Sequence, residues 1–223
     1  MKAIKLELIV FFCLCVGIAI AQPEFKGGQK ALGTFIANSL IYPDYSKMNC
    51  LQGTVVVNFK LTGSGRVFNS GIESGFGTDL DEEALRIIQL TSGKWSVPTD
   101  HDSTLALLLP INFSLREYNC EQKSKEDIAA SIAAYKAREG LTQGILNFYD
   151  RRENDFAKTD LKKAREIEEL KIRLGYDNKF INATLRKGQQ KLKQGDKESA
   201  CEDFNFIRKL GSNKADKFLN ICK

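Results

Sequence analysis

The stretch from Gly53 to Ile72 most limits what this chain can fold into. Thr54-Val-Val-Val-Asn-Phe-Lys-Leu61 alternates, with Val55, Val57, Phe59 and Leu61 on one side and Thr54, Asn58 and Lys60 on the other. A period of two carried by β-branched residues predicts a half-buried strand. Thr62-Gly-Ser-Gly65 supplies a tight reversal, and Arg66 to Ile72 returns as a second strand. A lone hairpin is marginal in water. The rest of the chain must bring a third strand, and helices to cover the apolar face.

The neighbouring segments supply them. Ala31, Leu32, Phe35, Ile36 and Leu40 recur at helical spacing, and this helix stops before Tyr42-Pro43 because the residue before proline avoids the α region. Thr78-Asp-Leu-Asp-Glu82 opens a second helix, with Asp79 as N-cap and Glu82 completing a capping box. Leu80, Ala84, Ile87, Ile88 and Thr91 form its buried stripe, and Gly93 ends it. Thr104 to Leu115 then alternates again: Leu105, Leu107, Leu109, Ile111, Phe113 and Leu115 face one side. Ala106, Leu108, Pro110, Asn112 and Ser114 face the other. The order is α-β-β-α-β. The returning helix makes the third strand parallel to the second, so it pairs in antiparallel fashion only with the first, in the spatial order 2-1-3. That leaves the third strand on an edge, where Pro110 and its missing donor belong.

These residues carry a family resemblance. Tyr42-Pro43, Gln52-Gly-Thr-Val-Val-Val-Asn-Phe59, Gly65, Leu80-Asp81 with Ala84, Trp95 with Pro98 shortly after, and Leu109-Pro-Ile-Asn-Phe113 together resemble the TonB C-terminal domain. The lead-in Pro23-Glu-Phe-Lys-Gly-Gly28 is similar to a variant of bacterial envelope proteins, with Lys26 where a proline is usual. The resemblance covers residues 23–115. It implies a periplasmic domain that grips an extended segment of an outer-membrane transporter by adding it to a sheet edge. Unlike full TonB proteins, this chain has four prolines in all and none between residues 24 and 42, so it lacks a proline-rich spacer.

Ahead of this domain, Lys2 and Lys5 precede the apolar run Leu8 to Ala21, which ends in the small-x-small sequence Ala19-Ile-Ala21. That predicts a signal peptide over residues 1–21, cleaved before Gln22. The remaining cysteines, Cys50, Cys120, Cys201 and Cys222, are even in number, as two disulfides of an exported chain require. In the 2-1-3 sheet the first strand begins where the third ends, which pairs Cys50 with Cys120. A turn near Gly211-Ser212 pairs Cys201 with Cys222.

The second half differs in composition. Residues 22–117 hold 8 Lys/Arg against 10 Asp/Glu, and residues 118–223 hold 23 against 17. Acidic residues are interleaved throughout, which describes a solvated helix surface better than an anion-binding one. Helical spacing links Ile128, Ile132 and Tyr135, then Ile145, Phe148 and Tyr149, then Leu161, Ala164, Ile167, Leu170 and Leu174, punctuated by Gly140, Gly144 and Gly175. Gly188, Gly195, Ala200 and Phe204 resemble one tetratricopeptide unit with a capping helix at about residues 180–223, with Lys191 and Ser212 where Tyr and Pro are usual. An ordinary helical bundle and a degenerate repeat array both fit.

The chain offers little material for catalysis. The single histidine, His101, reads as a solvated loop residue, and no close cysteine pair makes a zinc pattern. Asn112 and Asn182 begin N-x-Ser/Thr triplets that mean little in a bacterial envelope. The expectation is therefore an α+β protein: a two-layer α-β-β-α-β domain with a three-stranded antiparallel sheet over 22–117, then an all-α domain over 118–223. Its expected partner is an extended segment of an envelope or outer-membrane protein, bound along Ala106, Leu107, Leu108, Leu109, Pro110, Ile111, Asn112, Phe113 and Ser114. No cofactor, metal or nucleic acid is expected, and membrane association only through a partner or an uncleaved signal. The alternative is a scaffolding envelope protein that uses the edge internally or in a homodimer.

Overall fold

The computed structural model describes residues 22–116, 118–154 and 161–222, the side chains of 151–154 apart. The expected signal segment, residues 1–21, lies outside them. A two-residue strand β1 (Glu24–Phe25) leads into helix α1 (Gly28–Ser39) and a short helix α2 (Asp44–Met48). The hairpin follows as β2 (Gly53–Leu61) and β3 (Val67–Ser74), then helix α3 (Asp79–Leu90), strand β4 (Trp95–Ser96) and strand β5 (Leu107–Phe113). The main sheet has the order β3-β2-β5 with both pairings antiparallel, the 2-1-3 arrangement the sequence predicts.

Val55, Val57, Phe59 and Leu61 all point into the core, where they meet Leu80, Ala84, Ile87 and Ile88 of α3 and Leu32 of α1. Each such buried side chain stabilises by about 1.5–3 kcal/mol. The hairpin needs glycine at one point in particular. Gly65 has φ 75°, and a Cβ there would lie 2.3 Å from the carbonyl oxygen of Trp95.

The cap of α3 differs from expectation by one residue. Thr78, extended at φ −137°, is the N-cap, and Asp79 is already the first helical residue. The acid three residues on is then Asp81, not Glu82, and no reciprocal capping box forms. Its carboxylate reaches back to the backbone N–H groups of Phe76 at 2.9 Å and Gly77 at 2.7 Å. Two short elements go beyond the sequence reading. Helix α2 is too brief to show a period, and β1 pairs with β4 through only two residues each, Glu24 with Ser96 and Phe25 with Trp95.

The second half is helical among its described residues: α4 (Lys125–Asn154), α5 (Leu161–Arg173), α6 (Asn178–Lys193), α7 (Lys197–Lys209) and α8 (Asp216–Leu219). Gly140 and Gly144 do not interrupt α4, which runs through both because their faces are open and a glycine there costs only propensity. Helices α6 and α7 form a hairpin around Ile181, Ala200, Phe204 and Ile207. Gly188 lets them approach closely, since a Cβ there would lie 2.5 Å from the Phe204 ring. That close pairing is consistent with the tetratricopeptide-like unit. Both expected disulfides form, Cys50–Cys120 with Cα atoms 5.5 Å apart and Cys201–Cys222 at 5.6 Å.

The two halves meet on the helical side of the sheet domain. Ile128 and Ile132 of α4 pack against its core, and Tyr45 of α2 donates to the Ser131 carbonyl at 2.7 Å. On the other flank, Arg86 of α3 reaches Asp196 and Gln194 in the α6–α7 turn at 3.1 and 3.0 Å. Lys187 of α6 pairs with Asp44 of α2 at 3.1 Å.

Candidate partner-binding edge

Strand β5 is tied to β2 along its whole length, from Gly53 opposite Phe113 to Phe59 opposite Leu107. Ile111 and Phe113 are fully buried, and Leu107 and Leu109 are half-buried, so the inward set holds the strand to the core. Tyr42 packs edge-on against Phe113 at 5.7 Å, and the Leu115 N–H donates to Gln52 Oε1 at 3.1 Å. Tyr42 itself donates to the Leu51 carbonyl at 2.6 Å, and burial with the nearby Asp79 carboxylate pushes its phenol up to about 12.

The outward set is open. Leu108 is 59% exposed, and Pro110 and Asn112 are also exposed. Pro110 stands opposite Val56. Proline has no N–H to give, so the ladder loses nothing when this is a non-hydrogen-bonded pair. In that parity the backbone groups of Leu108, Pro110 and Asn112 face away from β2. Among the described residues β5 pairs with β2 alone.

Of the nine edge residues expected from the sequence, Leu107, Leu108, Leu109, Pro110, Ile111, Asn112 and Phe113 lie in the strand. Ala106 and Ser114 flank it, and Leu105 is 58% exposed rather than inward-facing. The cause is local. Asp102 Oδ1 accepts from both the N–H and the hydroxyl of Thr104, and the Asp102 carbonyl accepts from Leu105, which holds this segment in a turn. His101 is half-buried rather than solvated.

A second concave region, of about 930 Å³, lies between the halves. Asp79 and Glu82 of α3 face Glu202 and Asp203 of α7 across it. Burial is the first cause that raises all four carboxyls above their ordinary range. Lys191 answers Asp203 at 2.8 Å, and the Ser46 hydroxyl donates to Asp79. Among the described residues no cluster of His, Cys, Asp and Glu is arranged to hold a metal ion, and no helix is long and apolar enough to cross a membrane.

Residues 38–115 match the family model of the Gram-negative bacterial TonB protein C-terminal, so this part of the chain is similar to that domain. That family belongs to the Gram-negative envelope, is non-enzymatic, and interacts with outer-membrane proteins. No curated protein and no solved structure matches the chain.

Proposed function

We propose that this chain is an exported, non-enzymatic binding protein of the periplasm. It grips an extended segment of an envelope or outer-membrane partner by adding it as a strand along β5. One observation carries the reading: β5 is a seven-residue, uncharged strand paired on one side only among the described residues. An unpaired edge of this kind is a pairing liability unless it is used. The TonB C-terminal match supports use by a partner. Backbone groups supply most of the guest's hydrogen bonds, and the exposed side chains of Leu108, Pro110 and Asn112 flank it.

Leu108→Lys tests the reading, because this side chain leaves the core while its charge sits beside the guest strand. Residues 22–223 with and without the substitution are used to capture proteins from a solubilised outer-membrane extract. Retained melting temperature with lost capture is expected. Equal capture by both proteins would remove the edge from consideration. Sedimentation of the same pair addresses the homodimer form of the scaffolding reading, which requires a dimer that Leu108→Lys breaks.

A further inference from the structure

Four helices each turn one face to the cleft between the halves. Asp79, Glu82, Glu83 and Arg86 of α3 recur there at helical spacing, as do Tyr135, Arg138, Glu139 and Thr142 of α4. Phe180, Thr184, Lys187 and Lys191 of α6 meet Ser199, Glu202, Asp203 and Phe206 of α7 on the remaining walls. A stripe at this spacing ordinarily carries the apolar contact between helices. These stripes are mostly polar, so the halves face each other here across water rather than across a core. The cations of the cleft are nearly all taken. Lys187 pairs with Asp44 at 3.1 Å, Lys191 with Asp203 at 2.8 Å, and Arg86 with Glu83 and Asp196. Arg138 lies 4.4 Å from the centre of the Tyr176 ring and 5.9 Å from that of Tyr45. Among the described residues, Asp79, Glu82, Glu139, Glu198 and Glu202 border the cleft without an ion pair. Asp79 and Glu82 belong to the sheet domain and the other three to the helical half, so both walls carry uncompensated negative charge.

We propose that the cleft is a pH-sensitive switch: at neutral pH its carboxylates hold the two walls apart, and protons taken up in mild acid let the helical half close on α3. The halves are pinned on either flank, by Tyr45 donating to the Ser131 carbonyl at 2.7 Å and by Arg86 on Asp196 at 3.1 Å. Closure is then a small rotation about the line through those pins. Burial is the first cause that raises the carboxyls of Asp79, Glu82 and Glu202, and at Glu82 the charges of Asp79, Glu139 and Glu202 add to it. Lys191 opposes the rise at Glu82 and Glu202, and Lys187 at Asp79, but each already serves another carboxylate. The phenols of Tyr45 and Tyr135 stay neutral throughout, because burial raises both. Raised carboxyls take up protons before solvated ones do, so closure precedes any general acid effect. Once one carboxyl is protonated it can donate to an ionised one across the narrowed cleft, where like charges resist ionising together. The proposal is independent of the use of the β5 edge.

Nitroxide labels on Gln89→Cys of α3 and Asn205→Cys of α7, both exposed and uncharged, report the width of the cleft in the full chain with its disulfides intact. Double electron–electron resonance follows their separation from neutral pH to just above the ordinary carboxylate range. The labels should move closer as the pH falls and part again when it is restored. With Glu82→Gln and Glu202→Gln added, they should already be close at neutral pH and respond little to acid. Glu139→Gln with Glu202→Gln, both at exposed positions of the helical half, should act in the same direction. An unchanged separation in the parent overturns the switch. Widening in acid overturns it too, since Lys187 and Lys191 would then be what draws the halves together. A parent-like pH response in both glutamine pairs places the titration outside the cleft and also overturns it.

Discussion

Arg86 of the sheet domain and Asp196 of the α6–α7 turn meet at 3.1 Å with both side chains buried. They belong to a wider joint. Glu83 Oε1 takes the other guanidinium nitrogen at 2.6 Å, that nitrogen also donates to the Ser39 carbonyl, and Gln194 donates to the same carbonyl at 3.2 Å. The guanidinium donates five hydrogen bonds, one for each of its N–H groups, which is the condition under which a buried ion pair is tolerated.

Arg86→Ala should therefore destabilise the chain by about 3–5 kcal/mol, because Glu83 and Asp196 remain buried without their cation. Urea unfolding followed by far-ultraviolet dichroism measures it. A loss below about 1 kcal/mol would mean that the joint behaves like a solvated surface pair.

The two disulfides should contribute unequally. Cys50–Cys120 spans a separation of 70 residues and Cys201–Cys222 one of 21. Loop-closure entropy grows with the logarithm of length, so the longer bridge should stabilise by about 1 kcal/mol more, within the usual 2–4 kcal/mol for each. Pairwise Cys→Ala variants unfolded in parallel give the difference. The reverse ranking would place the main effect in strain or unfolded-state structure.

Much of this arrangement was legible in the sequence, and the reasons are physical. A period of two sustained over Thr54–Leu61 leaves one register for β2, and α3 shows the whole of its buried stripe, Leu80, Ala84, Ile87, Ile88 and Thr91. Given those elements, sheet order and both disulfide pairings follow from topology. At the edge, the outward positions of Leu108, Pro110 and Asn112 were readable by alternation. The early limit was not, because alternation continues through Leu105 while the Asp102 turn overrides it. The joint at Arg86 was invisible for another reason: its partners Gln194 and Asp196 are 108 and 110 residues away, and nothing local marks a helix arginine as buried.

The cleft carboxylates predict a pH effect. Asp79, Glu82, Glu202 and Asp203 all have folded-state values raised by burial. A raised acid binds its proton more readily in the folded chain. Its ionisation therefore costs stability at neutral pH, and that cost is relieved as the pH falls through the raised value to the ordinary one. Stability should rise on going from neutral pH to just above the ordinary carboxylate range. Glu82→Gln, which removes one of these charges beside Asp79, should flatten the rise. Melting temperatures across that window for both proteins provide the measurement. A parent curve that falls monotonically with acid would show that the Lys191 and Ser46 contacts outweigh desolvation.

Hydrogen exchange offers the sharpest view of the edge. With Pro110 in a non-hydrogen-bonded pair opposite Val56, the amides of Leu107, Leu109, Ile111 and Phe113 point toward β2, and those of Leu108 and Asn112 point away. The free edge then offers two donors, four residues apart, with Pro110 contributing only its carbonyl between them. In the full chain without partner, Leu108 and Asn112 should exchange at nearly open-chain rates, while the four inward amides are protected by the stability of the sheet. On addition of a bound segment, Leu108 and Asn112 should slow together, and the inward four should change little. Protection of both outward amides before any partner is added would mean that the chain already caps its own edge. Protection of Leu108 alone on binding would confine the guest to the Leu107 end of β5.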